Sequence, residues 1–321
     1  MKTLVLSVVA ASGLMAPAYA ADVMAPMKAP PAVVSAPAPP VFDLAFGGAL
    51  MSDYNFRGIS QSDLGPAVFG YVEPRWNVTP DFQAYLGIAA TSVKLATDPA
   101  AEVDLYGGVR WTVGPVVLDV GAMYYWYPNE RAIDGVVITA PPAFNTTIAD
   151  TDFWEVYGKL TWTINPMFAL GANVYYAPSW LNTGADGTYA SATAKATAPN
   201  TMLPPDVGAY LSGEFGHYWF GTTNLIPGVF VNIAGTGGWK LPDYSYWNVG
   251  FGFTYKVLTL DFRYHDTDLS KAECNALTAD PGASAVAGVR INNFLTTGRS
   301  NWCGSAFIVK LSADLTLSAL K

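Results

Sequence analysis

Charge is what this 321-residue chain has least of: only 13% of its residues are Asp, Glu, Lys or Arg, about half the share of an ordinary soluble domain. It has two cysteines and two histidines. His217 and His265 lack any Cys/His ligand spacing, so no metal site or other cofactor is expected. Basic residues number 17 against 25 acidic ones, a net charge of −8, and there is no basic run, which excludes nucleic acid as a partner. Beyond the first twenty residues no stretch approaches the roughly 20 consecutive apolar residues of a membrane-spanning helix. Also missing are Gly-x-Ser-x-Gly, His-Glu-x-x-His and Gly-Lys-Ser/Thr. The chain therefore reads as a non-enzyme.

What is present is apolar and finely divided. Hydrophobic residues make up 51% of the chain, interleaved with 30 Gly, 18 Tyr, 16 Phe and 10 Trp. That mixture excludes disorder and a helical membrane protein, and leaves an aromatic-rich all-β protein.

Residues 1–20 read as a secretory signal peptide. Lys2 supplies the positive region, Leu4 to Met15 the apolar stretch, and Ala18-Tyr19-Ala20 a cleavage pattern with the cut after Ala20. Residues 21–41, rich in Ala and Pro, read as an extended periplasmic linker. Export implies an oxidising compartment, so Cys274 and Cys303 are a disulfide candidate.

From residue 42 to 321 apolar and polar residues alternate with period two in segments of about ten residues. The first runs from Phe42 to Arg57, with Asp43, Asp53, Asn55 and Arg57 on its polar face. Others cover 67–76, 82–92, 103–111, 116–126, 154–164, 168–176, 206–216, 227–235, 247–255, 258–265 and 305–315. The polar faces carry Gly, Ala, Thr, Tyr and isolated charges of both signs, unlike the charge-rich outer face of a soluble sandwich. The apolar faces place Trp, Tyr or Phe near segment ends. Alternation of this length fits a transmembrane, antiparallel, up-and-down β-barrel, apolar outside and polar inside. The count is twelve, with ten or fourteen strands as the alternatives. Short periplasmic turns (77–81, 112–115, 165–166, 256–257) alternate with long external loops, including 127–150, 177–205 and 267–303. The partners expected of such a barrel are outer-membrane lipid, lipopolysaccharide and small solutes.

The lumen is where chemistry can reside. Its lining candidates are Asp53, Asn55, Arg57, Glu73, Arg75, Glu102, Asp104, Arg110, Glu155, Lys159, Asp261 and Arg263. Adding Asp43, Asp119, Glu214, Asp314 and Lys310 brings the inward set to ten acids against six bases. One reading is a channel for passive diffusion of small hydrophilic solutes, weakly preferring cations. The other is that the charges pair across strands and plug a solid interior, giving a non-conducting structural or adhesion barrel that acts through its loops. Glycines near the wall, including Gly108, Gly121 and Gly252, would leave lumen space or let a loop pack inward. An outer-membrane lipase would have to use His265 with Ser60 or Ser270.

The run Ser52-Asp53-Tyr54-Asn55-Phe56-Arg57-Gly58-Ile59-Ser60-Gln61 resembles the opening signature of the TorF family of porin-like barrels. Leu260-Asp261-Phe262-Arg263-Tyr264-His265-Asp266-Thr267-Asp268 is similar to that family's strand ending in Asp-Thr-Asp. The resemblance implies an outer-membrane barrel of a Gram-negative bacterium with a channel role. On that reading Asp53 and Arg57 shape the pore mouth, or else tie the first strand to the second through Glu73 and Arg75.

Overall fold

The computed structural model describes residues 40–131, 133–134, 147–148, 150–224, 240–283 and 299–320. The signal peptide, nearly all of the linker and the 227–235 segment fall outside these residues.

Twelve strands form one closed antiparallel barrel. They are β1 (Phe42–Met51), β2 (Ala67–Thr79), β3 (Phe82–Thr91), β4 (Glu102–Val113), β5 (Val116–Trp126) and β6 (Phe153–Asn165). After them come β7 (Phe168–Ala177), β8 (Gly187–Thr197), β9 (Val207–Phe220), β10 (Tyr244–Tyr255), β11 (Leu258–Thr267) and β12 (Ala306–Thr316). Each strand pairs with its neighbour in sequence, and β1 pairs with β12 to close the ring. Closure leaves no sheet edge unpaired. Two-residue turns such as 114–115 and 256–257 sit at one end; connections such as 52–66 and 92–101 sit at the other.

The count of twelve holds, but its membership differs from expectation. Residues 187–197 form β8, inside what reads as the long loop 177–205. Its outward residues are Thr188, Ala190, Ala192, Ala194 and Ala196, none large enough to mark an apolar face. The first strand also ends at Met51 rather than Arg57. Tyr54, which alternation places on the outer face, is buried. His217 lies on β9 beside Ser245, near the long-loop end.

The outside of the barrel is apolar. Trp76, Trp111 and Trp162 ring the short-turn end, while Trp126, Trp154, Trp219 and Trp247 ring the other, all 39–53% exposed. Between them lie exposed Val, Leu and Ile, among them Val72, Leu86, Ile88, Val120 and Val174. Soluble monomers rarely expose apolar patches beyond a few hundred Å². Two aromatic girdles around an aliphatic band suit a hydrocarbon slab with interfaces on both sides.

Inside, tyrosine and glycine face each other across the ladder. Gly47 pairs with Tyr71, Gly108 with Tyr85, Gly87 with Tyr106, Gly121 with Tyr157 and Gly252 with Tyr210. In each pair the tyrosine's ring edge or hydroxyl comes within 2.8 Å of where a glycine Cβ would be. The wall glycines Gly108, Gly121 and Gly252 thus leave no open space; they make room for rings that fill the interior. A disulfide joins Cys274, on the α-helix α1 (Lys271–Thr278), to Cys303 just before β12.

At Gly87 an added Cβ falls within the Tyr106 ring, so Gly87→Val has to displace that ring. We expect it to lose about 1–3 kcal/mol, the usual cost of overpacking. Urea titration of the refolded barrel, followed by the gel shift of unheated samples, measures this loss. An unchanged midpoint contradicts the close tyrosine–glycine contact.

Candidate functional site

The β1–β2 connection folds back into the barrel mouth. Asn55–Phe56 and Ile59–Ser60 form a miniature hairpin whose tip is Arg57 (φ 48°) and Gly58 (φ 89°). Glycine is required at the second position, because a Cβ there would strike Tyr246 and Thr267 as well as resist the left-handed backbone. Asn55 Oδ1 accepts the Gly58 N–H at 2.9 Å and sets the turn. At the loop's base Asp53 Oδ1 accepts the hydroxyls of Ser60 (2.6 Å) and Ser62 (2.8 Å). Burial pushes the Asp53 carboxyl above its ordinary pKa, and the two serine hydroxyls oppose that rise.

Arg57 is thereby pushed into the interior. Its guanidinium forms a fork on Glu155, Nη1 to Oε1 at 2.7 Å and Nη2 to Oε2 at 2.8 Å. Phe56, Tyr175, Tyr189 and Tyr218 surround it, with ring centroids 4.4–5.1 Å from Cζ. Tyr218 and Tyr125 donate their hydroxyls to Glu155 at 3.2 and 3.0 Å. Tyr244 donates to the Arg57 carbonyl. The side chains of Arg57 and Glu155 are 2% and 0% exposed, so water does not touch this pair.

Nearer the short-turn end a second cluster spans β2 to β6. Glu73 accepts Arg75 Nε at 2.5 Å and Arg110 Nη1 at 2.9 Å. Arg110 also reaches Asp119 at 3.2 Å and lies 3.7 Å from the Tyr85 ring centroid. Lys159 Nζ sits over Tyr157 and Tyr175. On the opposite wall Arg263 grips Asp261 through Nε (3.1 Å) and Nη2 (3.0 Å), and donates to Asn248 and Ser212. Glu102 accepts the hydroxyls of Tyr54 and Tyr127 at 2.5 and 2.8 Å, and Asp104 is buried two residues along the same strand.

Eleven of the twelve lumen candidates are buried, and Lys159 is half-buried. Asp53, Asn55 and Arg57 face inward through loop insertion rather than strand continuation. Arg57 does not tie β1 to β2: its partner is on β6, while Glu73 and Arg75 bind each other. Sequence reasoning passed over Lys195, buried on β8 with its Nζ over Tyr210, because that strand had not been recognised. It also passed over the tyrosines that organise the interior, whose signal was their recurrence on the polar faces. The lipase candidates are engaged otherwise. Ser60 donates to Asp53, His265 Nδ1 bonds Tyr246, and Ser270 caps α1. Among the described residues Glu130, Asp150 and Asp152 bring carboxylate oxygens within 4.8 Å of one another, with Glu130 accepting from Thr97 and Thr151.

Residues 35–208 match the model of a family described as bacterial protein of unknown function, Gcw_chp. The chain belongs to this family. The Gcw_chp match runs through β1 to β8 and therefore includes the Arg57 loop and Glu155. No curated protein matches the chain. Among solved structures, the COG4313 outer membrane channel from Pseudomonas putida F1 aligns with 8% identity and a TM-score of 0.43, covering 87% of this chain and 96% of that one. The NanC porin aligns with 10% identity and a TM-score of 0.41, over 85% and 100%. LpxR from Salmonella typhimurium aligns with 8% identity and a TM-score of 0.38, over 84% and 99%. Likeness at this level carries no argument about what the Gcw_chp chain does.

Removing one partner of a buried ion pair costs about 3–5 kcal/mol, because the other charge is left uncompensated. Arg57→Ala is expected to destabilise the refolded barrel by that amount in urea. Arg57→Lys should recover little, since an ammonium cannot reproduce the fork or the stacking of the planar group. Full recovery by lysine contradicts the bidentate geometry as the source of stability.

Proposed function

We propose that the protein is an outer-membrane barrel serving as a low-conductance channel for small hydrophilic solutes, closed at rest by the β1–β2 loop. The observation that carries the reading is the combination of an apolar, doubly girdled exterior with a charged interior that is crossed at the mouth by a loop rather than a strand. Arg57 enters from an irregular segment, so withdrawing it would clear that crossing without breaking the barrel ladder. The residues resembling the TorF signature, Ser52 to Gln61, are the ones that build this closure. The apolar start of the chain, Leu4 to Met15 with cleavage after Ala20, supports export to the outer membrane. With Lys195 included, the inward charges are ten acids against seven bases, which favours cations mildly.

A second reading, a non-conducting barrel that acts through its loops, draws on the near-complete burial and pairing of the lumen charges. Planar-bilayer recording of the refolded protein separates the two. The channel reading expects rare, small current steps from the wild type and frequent ones from Arg57→Ala, with a reversal potential slightly favouring cations under a salt gradient. A folded barrel that gives no steps in either form establishes the second reading. Strong anion preference keeps the channel and overturns the charge balance.

A further inference from the structure

All six long connections converge on one cavity of about 110 Å³ at the barrel mouth. Ile59 comes from the β1–β2 connection, Leu95 from β3–β4, Thr151 from β5–β6, Leu181 from β7–β8, Leu241 from β9–β10 and Trp302 from β11–β12. Phe56, Tyr218 and Tyr244, which hold Arg57, also line it.

Two features define its chemistry. First, among the described residues its lining contains no Asp, Glu, Lys, Arg or His, although the lumen beside it is dense in charge. Second, its hydroxyls are already committed as donors. Tyr127, Tyr218 and Tyr244 donate to Glu102, Glu155 and the Arg57 carbonyl. Thr97 and Thr151 both donate to Glu130. Thr183 and Thr278 donate to backbone carbonyls of Trp180 and Cys274, and Ser60 donates to Asp53. What the cavity offers is therefore mostly carbon surface, including the indoles of Trp180 and Trp302, with its hydroxyl hydrogens already used. A charged guest would lose its hydration and gain no counter-charge, whereas an apolar one would bury its surface against rings. Leu181 is held at φ 45°, a left-handed backbone that a leucine rarely adopts, and its side chain forms part of the wall.

We infer that this vestibule is a binding site for a small, uncharged, largely aromatic molecule taken up from outside the barrel. Gln61, whose amide nitrogen bonds the Ile59 carbonyl, is the group placed to orient a single hydroxyl or carbonyl on the guest. Binding here needs no open lumen, so the inference stands apart from conduction.

The test uses the full refolded barrel and 4-bromobenzyl alcohol, an uncharged aromatic quencher of tryptophan fluorescence. Quenching of the outer girdle tryptophans, through partition into detergent, rises without saturation. Occupancy beside Trp180 and Trp302 adds a saturable component. Filling the cavity with Ala276→Phe, or independently with Ala96→Phe, should weaken that component about tenfold or more, equivalent to about 1.4 kcal/mol or more. The anion 4-bromobenzoate should show none of it. Variants are scored only where the gel shift of unheated samples reports a folded barrel, and the two positions lie on different loops. Quenching that never saturates, or saturates equally in both filled variants, or is matched by the benzoate, overturns the site.

Discussion

A barrel with an apolar exterior leaves its charges one place to go, and at Arg57 and Glu155 water does not reach it. Each ion inside must recover from its neighbours what it lost in hydration, which amounts to several kcal/mol per charge. The Arg57–Glu155 pair meets that demand in full. The two oxygens of Glu155 receive four hydrogen bonds, two from the Arg57 fork and one each from Tyr125 and Tyr218. That is the full acceptor capacity of a carboxylate. The faces of the guanidinium meet aromatic rings, where a weakly hydrated planar cation is well placed. Because Arg57 arrives on a loop, the same interaction holds the β1–β2 connection inside the mouth and fixes part of the cavity wall.

The tyrosines do more than bond to charge. A twelve-stranded barrel encloses more space than the side chains of an eight-stranded one fill, and here rings take up the extra volume. Their hydroxyls reach carboxylates in the lumen while their ring tips lie close against glycines of the adjoining strand. Tyr85 illustrates both roles: it lies over Gly108 and donates to Asp119 at 2.5 Å. The glycines on the wall are therefore sites of contact rather than gaps, and the interior is a packed polar core threaded by ion pairs.

The mouth contrasts with the lumen. Within a few residues along the chain, the lining changes from ion pairs to a charge-free, aromatic-rich cavity whose hydroxyl hydrogens are already bonded elsewhere. Any molecule that enters meets an apolar environment before it meets Arg57. In the proposed channel this places the chemical filter at the loops and the physical closure just inside it.

Local alternation determined much of this protein from the sequence alone. Period two assigned most residues to inside or outside, because a strand's side chains must point to opposite faces whatever the strand pairs with. It delimited β3 to β7 nearly to the residue and placed Glu73, Arg110, Glu155 and Arg263 indoors. It failed at β8, where alanine and threonine stand in for the large apolar residues that make the period visible. It also failed at Tyr54, where alternation continued after the strand had ended. What only the tertiary structure decided is who meets whom. Arg57 and Glu155 lie 98 residues apart, and no local pattern links them. Their meeting depends on the ring closing, on β12 returning to β1, and on a loop turning inward instead of out, because burial of charge rewards a partner across the lumen that the chain cannot specify until the barrel exists.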